Sequence, residues 1–185
     1  MQSLKHHFLL AMPHLDDPNF KGTLTYLCDH DENGTMGVIV NRPMELTLDA
    51  LLEQLELDAA ECPCREMPVH YGGPVHKDRG FILHRGSSLP WDSSLQVADD
   101  IALTTSMDML KAIANGQGPE DFIVCLGCAA WQAGQLEDEL KQNTWLTVEG
   151  DASILFEVHA EQRLSAAAGI LGIDLNLMSR EAGHS

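Results

Sequence analysis

Positive charge is what this sequence has least of. It carries 11 Lys and Arg residues against 28 Asp and Glu residues, which gives a formal net charge of −17 at pH 7. Such a surface repels phosphate backbones and anionic lipids unless its few cations gather in one place. We therefore expect no default binding to nucleic acid or to an anionic membrane, and we interpret the charge chiefly as a solubility surface.

Long hydrophobic runs are also missing. No apolar stretch approaches the roughly 20 residues that a membrane helix needs. The run Phe8–Met12 near the N-terminus is five residues long and is followed by Pro13, whereas the core of a signal peptide needs about seven or more. We predict a cytoplasmic protein without a membrane segment, in which this run forms the first strand.

Cysteine is present in an odd number, five, so reduced thiols are the natural expectation without a secretion signal. Cys125 and Cys128 have redox spacing and are predicted to lie between a strand and a helix. Their neighbours are apolar, which favours buried structural thiols. A zinc site that combines them with Cys62 and Cys64 is the alternative, but Cys-x-Cys is tighter than the common zinc knuckle. We predict no metal and no cofactor.

No catalytic motif is complete. The nine histidines are scattered, and no His-Glu-x-x-His or His-x-x-x-His signature occurs. Ser106 fits a helix entry, because no Gly-x-Ser-x-Gly elbow surrounds it. Cys28 and His30 are a nominal thiol–imidazole pair that could share one face of a strand, although a packed thiol is the favoured interpretation. We predict no catalytic residue.

The length of 185 residues favours one domain spanning residues 1–185. Short apolar runs at 24–28 and 37–40 flank Asn33-Gly34 and predict a hairpin with a rather long loop. Thr47 precedes four leucines at helical spacing and is expected to cap that helix. Further strands are predicted at 69–71, 81–84, 101–104, 122–126, 145–148 and 154–158, and further helices at 105–115, 129–141 and 161–171. Adjacent strands without intervening helices predict an α+β fold with a mixed, largely antiparallel β-sheet.

The stretch from Arg65 to Arg85 is the electrostatic exception. It holds four of the 11 basic residues and three histidines, opposed only by Glu66 and Asp78. The Gly72-Gly73 pair would let backbone N–H groups approach an anion closely, and an Arg fork suits such a ligand. The alternative is a Gly-Gly-Pro turn beside solvated cations. Our hypothetical ligand site comprises Arg42, Gly72, Gly73, Lys77, Arg79 and His84.

Several short blocks occur in a fixed order along the chain. They are Phe8–Pro13, Asp17–Phe20, Gly37–Pro43, Gly72–Val75, Arg79–His84, Leu103–Ser106, Gly134–Glu137, Asn143–Leu146 and Gly183–Ser185. In these blocks the sequence resembles the YqgE/AlgH family over nearly its whole length. The resemblance implies a bacterial cytoplasmic protein and a mixed sheet partly wrapped around helices. It brings no established enzymatic activity, and the AlgH name is associated with transcriptional regulation of alginate genes.

Two departures from the family pattern matter. The stretch Gly127–Trp131 reads Gly-Cys-Ala-Ala-Trp, where the family usually has Gly-Tyr-Ala-Gly-Trp. The chain ends in Ser185, where the family usually has Ala. A role for Cys128 is therefore not implied by the resemblance.

Three functions remain open at this point. The favoured one is a non-enzymatic regulatory or interaction protein, linked to transcriptional regulation, that acts through an unidentified protein partner or a small anionic ligand. The second is an enzyme or anion-binding protein with a site near Arg42, Gly72-Gly73 and His84. The third is a direct DNA-binding regulator, which the net charge and the missing helix-turn-helix pattern disfavour. The sequence does not identify the ligand, the partner or the oligomeric state.

Overall fold

The structure is a computed structural model that describes residues 2–182. The family-like ending Gly183–Ser185 lies outside the described residues. Within them, no helix combines the length and the apolarity that a bilayer crossing requires. The elements in chain order are β1 (His7–Ala11), β2 (Leu24–Asp31), β3 (Gly34–Ile39), β4 (Pro43–Thr47), α1 (Leu48–Gln54), β5 (Pro68–Tyr71), β6 (Val75–Arg85), β7 (Ser94–Ala98), β8 (Ile101–Thr104), α2 (Met107–Ala114), β9 (Phe122–Gln132), α3 (Gln135–Lys141), β10 (Trp145–Glu149), α4 (Ala152–Glu157), α5 (Ala160–Ile170) and α6 (Leu175–Ala182).

The strands form one sheet in the order β10-β1-β2-β3-β9-β6-β8-β7, with β4 and β5 joined at the side. Strand β5 pairs in parallel with the first half of β9 and antiparallel with β4. The other pairings among the described residues are antiparallel. The predicted α+β class with a mixed, largely antiparallel sheet is confirmed.

Helices α4 and α5 lie inside the curl of this sheet. Ile154, Leu155, Ala167 and Ala168 share one buried cluster with residues from eight strands. The sheet therefore partly wraps around helices, as the family resemblance implies. Because alternate residues of β1 face this cluster and the outer side, β1 is buried on both faces. That double burial explains its uninterrupted apolar run.

Helices α1 and α2 cover the outer face of β5, β6 and the first half of β9. The leucines of α1 that were predicted to share one face pack there with Met109 and Ile113 of α2. Thr47 and Ser106 occupy the N-cap positions of the two helices, but neither hydroxyl accepts a backbone N–H. Each hydroxyl instead contacts a first-turn carboxylate, Asp49 or Asp108. The predicted cap of α1 is thus in place without its usual hydrogen bond.

Strand β9 changes its neighbour at Gly127. Its first half pairs with β5 and its second half with β3. At the change, the Gly72 N–H donates to the Leu126 carbonyl oxygen at 2.8 Å, and the Gly72 carbonyl accepts from Ile39 N–H at 2.8 Å. A Cβ on Gly72 would lie 2.2 Å from the Gly127 carbonyl oxygen. The two backbones therefore cross at a separation that leaves no room for a side chain.

Three predicted elements are corrected by the structure. Strand β9 continues to Gln132, so the helix predicted from residue 129 begins only at Gln135. The strand predicted at 154–158 is helix α4, whose N-cap Asp151 accepts from Ser153 N–H. A short apolar run has no periodicity that separates a strand from a buried helical turn. The loop of the β2–β3 hairpin is also shorter than expected, two residues.

Glu139 of α3 anchors two tryptophans, one in β9 and one in β10. Its Oε1 accepts from Trp131 Nε1 at 3.3 Å and from Trp145 Nε1 at 3.0 Å. The two indoles pack edge to face, with ring centroids 6.1 Å apart. One carboxylate therefore satisfies two indole donors and fixes α3 against β9 and β10.

We expect Glu139→Ala to lower the free energy of unfolding by about 2 kcal/mol, because it removes a charged acceptor from two largely buried donors. Asp138→Ala is the matched control, since its exposed neighbouring side chain makes no hydrogen bond to a described residue. The control should change stability by no more than about 0.5 kcal/mol. Urea unfolding followed by tryptophan fluorescence measures both, and equal losses would contradict the anchoring role.

Candidate functional site

The glycine pair of the predicted anion site lies inside the β5–β9 crossing. Gly72 and Gly73 are buried, and the Gly72 N–H is already bonded to Leu126. A Cβ on Gly73 would lie 2.2 Å from the Cys128 carbonyl. The glycines thus serve the close approach of two backbones, and the Gly72 amide faces no open space for an anion.

Arg42 is occupied elsewhere. Its Nη1 donates to the carbonyl oxygens of Pro18 and Asn19 at 3.1 and 2.9 Å, and its Nη2 donates to Lys21 at 2.7 Å. These bonds fasten the loop that precedes β2. The Arg42 guanidinium therefore stabilises a loop and does not join the cations of β6.

The remaining three residues of the predicted site lie along β6 in two different environments. Lys77 and Arg79 are exposed on a bulge between Val75 and Gly80, where the pairing with β9 is interrupted. His84 lies further along, 1% exposed, with Nε2 2.8 Å from Thr104 Oγ1. Burial lowers the pKa of His84. The structure therefore brings Lys77 and Arg79 together on the surface and places His84 in the core.

Cys125 and Cys128 both lie within β9, so the predicted position between a strand and a helix is wrong. Burial raises the pKa of Cys125 to about 12 and also raises that of Cys128. This is the opposite of what a reactive thiolate needs. Cys62 belongs to a different buried cluster. In the part of the chain that the structure covers, no three His, Cys, Asp or Glu side chains are grouped to hold a metal ion.

Cys28 and His30 point to opposite sides of β2. A register shift between Leu27 and Asp29 breaks the alternation, so Cys28 faces the cluster inside the curl and His30 faces α3. His30 Nδ1 accepts from Leu4 N–H at 2.7 Å, and Nε2 lies 2.6 Å from Glu137 Oε1. Because Nδ1 is an acceptor, Nε2 carries the proton and donates to the carboxylate. The hydrogen bond between His30 and Glu137 therefore links β2 to α3. Cys28 and His30 form no thiol–imidazole dyad.

A cleft of about 350 Å³ opens beside the ends of β4, β5 and β9 and the turn between α4 and α5. Its walls are mainly apolar, with Met67, Phe122 and Phe156 among them, and acidic residues stand at its edge. His70 and Arg163 are its two buried basic residues. We call it the Arg163–His70 cleft; it is lined by residues 43, 67, 68, 70, 120–123, 155–161 and 163.

Arg163 lies in the first turn of α5 and is only 8% exposed. Its Nε donates to the Val158 carbonyl at 2.9 Å, and its Nη1 donates to the Val40 carbonyl at 2.6 Å. No carboxylate of the described residues lies within 4 Å of it, and its Nη2 makes no hydrogen bond with them. Burial lowers the pKa of Arg163, but a guanidinium stays charged in proteins. Two carbonyl dipoles and the ring nitrogen of His70 contact this buried cation, and the charge of Glu161 acts on it from a greater distance.

His70 of β5 is 5% exposed, and its Nε2 lies 3.5 Å from Arg163 Nη1. A guanidinium can only donate, so Nε2 faces it as an acceptor and the ring proton sits on Nδ1. Nδ1 has no hydrogen-bond partner among residues 2–182. Burial, helped by the Arg163 charge, lowers the pKa of His70 to about 4, although the Pro68 backbone acts in the opposite direction. At neutral pH the ring therefore keeps one buried N–H donor, for which the Pro68 backbone is an acceptor outside hydrogen-bond geometry.

Together these two side chains have the chemistry that a carboxylate ligand requires. A buried cation and a buried, unpartnered N–H donor lie side by side, and both line the same cleft. Charge-assisted hydrogen bonds to a carboxylate would satisfy both groups. Sequence reasoning missed the pair. One signal was present: Arg163 occupies the buried stripe of α5 together with Ala167 and Ala168, a position where an unpaired charge needs an explanation.

Comparison with known proteins gives a consistent result. A family model described as AlgH-like matches residues 8–176. UPF0301 protein AlgH of Pseudomonas aeruginosa is 51% identical over 183 residues, covering 98% of this chain and 96% of the relative. A UPF0301 protein of Thiobacillus denitrificans is 53% identical over 183 residues, covering 99% and 98%.

Two solved structures are also similar. The solution structure of the AlgH protein from Pseudomonas aeruginosa matches with a TM-score of 0.81 at 50% identity, covering 97% of this chain and 96% of that one. A crystal structure from Corynebacterium diphtheriae matches with a TM-score of 0.67 at 15% identity, covering 83% and 79%. The second likeness shows the fold alone.

Proposed function

Because the chain belongs to the AlgH-like family, as its sequence blocks predicted, we propose that it is a non-enzymatic cytoplasmic regulatory protein that responds to a small carboxylate-bearing ligand. The ligand would bind in the Arg163–His70 cleft. The regulatory part of this proposal comes from the family resemblance and its association with transcription. The ligand part comes from one observation, a buried cation without an anionic partner beside a buried donor without an acceptor.

Energetics favour a ligand at this position. Taking a cation out of water costs several kcal/mol unless an opposite charge or good hydrogen bonds compensate it. A carboxylate would accept from Arg163 Nη2 and from His70 Nδ1–H, and a hydrogen bond to a charged group contributes about 1.5–3 kcal/mol. After the losses on association, such contacts are consistent with micromolar to millimolar affinity.

Binding without chemistry is the simpler use of this cleft. Its lining contains the Arg163 cation, the imidazoles of His70 and His159, and four carboxylates, but no Ser, Cys, Thr or Lys nucleophile. His70 faces Arg163 rather than a nucleophile, so it lacks the pairing that nucleophilic catalysis requires. We therefore propose recognition, and not turnover, as the role of the site.

Regulation would act through a protein partner rather than through direct contact with DNA. Arg42 and Arg163 donate to backbone carbonyls, and Arg85 lies 3.1 Å from Asp121 and 4.0 Å from Glu157. Lys77 and Arg79 alone form a very small basic patch for phosphates on a chain of net charge −17. A gel-shift series in increasing salt tests this point, and tight binding with a steep salt dependence would contradict it.

The carboxylate site can be tested by thermal unfolding with a defined panel. The panel is acetate, benzoate, succinate, 3-phenylpropanoate and the twenty L-amino acids. We expect at least one carboxylate to raise the Tm of the wild-type protein by several degrees when it is present at many times its Kd. Arg163→Met and His70→Phe should abolish the shift, because each keeps much of the side-chain volume and removes a donor.

Arg79→Met is the matched control, since it removes one positive charge from the exposed bulge of β6. This variant should keep the whole ligand-induced shift. The opposite pattern, a shift lost in Arg79→Met and kept in Arg163→Met, would move the anion to the site first inferred from the sequence. No shift with any member of the panel would refute the carboxylate site.

A further inference from the structure

The Arg163–His70 cleft has ends of opposite electrostatic character. Its buried end presents the Arg163 cation and the His70 donor. Its edge carries four carboxylates, and those of Asp121 and Glu157 lie beside Arg85. The other two are Glu120 and Glu161, which are exposed and have no cation of the described residues within 4 Å. A ligand in the cleft is therefore exposed both to the buried Arg163 cation and to the exposed carboxylates of Glu120 and Glu161.

This arrangement selects among carboxylates. A dicarboxylate or an inorganic phosphate brings added negative charge toward Glu120 and Glu161, in a protein whose net charge is already −17. Like charges close together near a protein surface repel each other. A molecule with one carboxylate and one ammonium group carries no net charge and places attractive charge at both ends of the cleft.

The volume of the cleft and its apolar lining also favour a small amphipathic ligand. A volume of about 350 Å³ lies at the lower end of the range for small-molecule sites, so it suits an amino acid better than a nucleotide. Leu155, Phe122 and Phe156 supply an apolar wall between the two charged ends. The wall would contact aliphatic or aromatic carbon and would exclude water from the buried donor pair.

We propose that the ligand of the Arg163–His70 cleft is a small zwitterion of the amino-acid class. Its carboxylate accepts from Arg163 and His70, and its ammonium group donates to Glu120 or Glu161. This assignment rests on the carboxylate site proposed above and makes it more specific. It covers α-amino acids with an apolar side chain and straight-chain ω-amino acids, which differ in how far apart the two charges lie.

Isothermal titration calorimetry on the full-length protein tests the assignment with matched ligands. The twenty L-amino acids and the series from β-alanine to 6-aminohexanoate are titrated first. The tightest binder is then compared with the same molecule lacking the amine and with the same molecule lacking the carboxylate. We expect each truncated molecule to bind about tenfold more weakly or worse, because each loses one set of charge-assisted hydrogen bonds.

Variants at the edge of the cleft provide the second arm. The double variant Glu120→Gln/Glu161→Gln should weaken binding of the zwitterion about tenfold and leave binding of the amine-free carboxylate unchanged or tighter. Both side chains are exposed, so the double variant should fold. The double variant Glu32→Gln/Glu53→Gln replaces two exposed carboxylates, in the β2–β3 turn and in α1, that do not line the cleft. It makes the same change in net charge and should not alter the affinity for either molecule.

The outcomes separate the two proposals. If the amine-free carboxylate binds as tightly as the zwitterion, the amino-acid assignment fails and the carboxylate site stands. If neither molecule binds, both proposals fail. If the amine without its carboxylate binds as tightly as the zwitterion, the buried donor pair is not the recognition element and both proposals again fail.

Discussion

Gly72→Ala is expected to lower the free energy of unfolding by about 4 kcal/mol, enough to abolish folding of a marginal domain. The new Cβ would lie 2.2 Å from the Gly127 carbonyl oxygen and 2.9 Å from Cys125 Cβ. The closest neighbour is backbone, which cannot move aside as the end of a flexible side chain would. The parallel pairing of β5 with β9 and the hydrogen bond from Gly72 to Leu126 would have to break.

Gly80→Ala provides the control for this prediction. Gly80 lies on β6 opposite Leu126, and a Cβ placed on it would meet no atom within 4 Å. Its replacement should be neutral or stabilise by about 0.5 kcal/mol, because alanine restricts the unfolded chain. Chemical denaturation of both variants followed by circular dichroism measures the difference. A Gly72→Ala variant as stable as Gly80→Ala would mean that the crossing is loose and that the Gly72 amide is open to a ligand.

Acidification should destabilise the unliganded protein through His70. The unfolded chain takes up a proton at this side chain near its ordinary pKa of 6.5, whereas the folded protein does so only near pH 4. Between these values the unfolded state binds more protons, so stability falls as the pH is lowered. The contribution is fully present above pH 6.5 and is lost by about pH 4. The separation of the two values corresponds to about 3 kcal/mol.

The variant His70→Phe isolates this effect. His6 and His84 also have lowered pKa values, so the whole protein will be acid-sensitive in either form. The difference in unfolding free energy between wild type and variant should change by about 3 kcal/mol from pH 7 to pH 4. A titration of the His70 ring by NMR gives the folded-state pKa directly. A midpoint near 6.5 would contradict the burial of a neutral ring beside Arg163.

Local sequence patterns gave correct information wherever a feature depends on neighbours along the chain. The leucines of residues 48–55 form the buried face of α1, and the run at residues 8–12 overlaps β1 at residues 8–11. The Ala-rich stretch forms α5, which ends close to the predicted position. The spacing of the α1 leucines records which face of the helix is buried, and the unbroken run in β1 records burial on both faces, so local sequence suffices for both.

The pattern failed where tertiary contacts override local preference. Residues 154–158 read as a strand, but residues 154–157 belong to α4, whose Ile154 and Leu155 are buried inside the curled sheet while Ser153 and Glu157 are exposed. The Cys-x-x-Cys spacing suggested a strand end, yet β9 runs through it and finds a new partner strand beyond Gly127. Which strand lies beside β9 is a long-range choice that no local window contains.

For the candidate site too, the sequence determined some features and the tertiary structure determined others. The sequence alone determined the acidity of the protein, the scarcity of its cations and the family blocks, since these need only the identity and order of residues. It did not determine where the cations act. The Arg42 guanidinium donates hydrogen bonds to the loop before β2, and Lys77 and Arg79 of β6 lie on an exposed bulge.

Only the tertiary structure decided that Arg163 meets His70, 93 residues earlier, and the Val40 carbonyl, 123 residues earlier. The physical reason is burial. A cation without a carboxylate partner and a ring nitrogen without an acceptor are ordinary in water, because water solvates both. They become costly, and able to bind a ligand strongly, only after the fold has removed that water. That environment arises from β3, β5 and α5 together, and none of these segments specifies it alone.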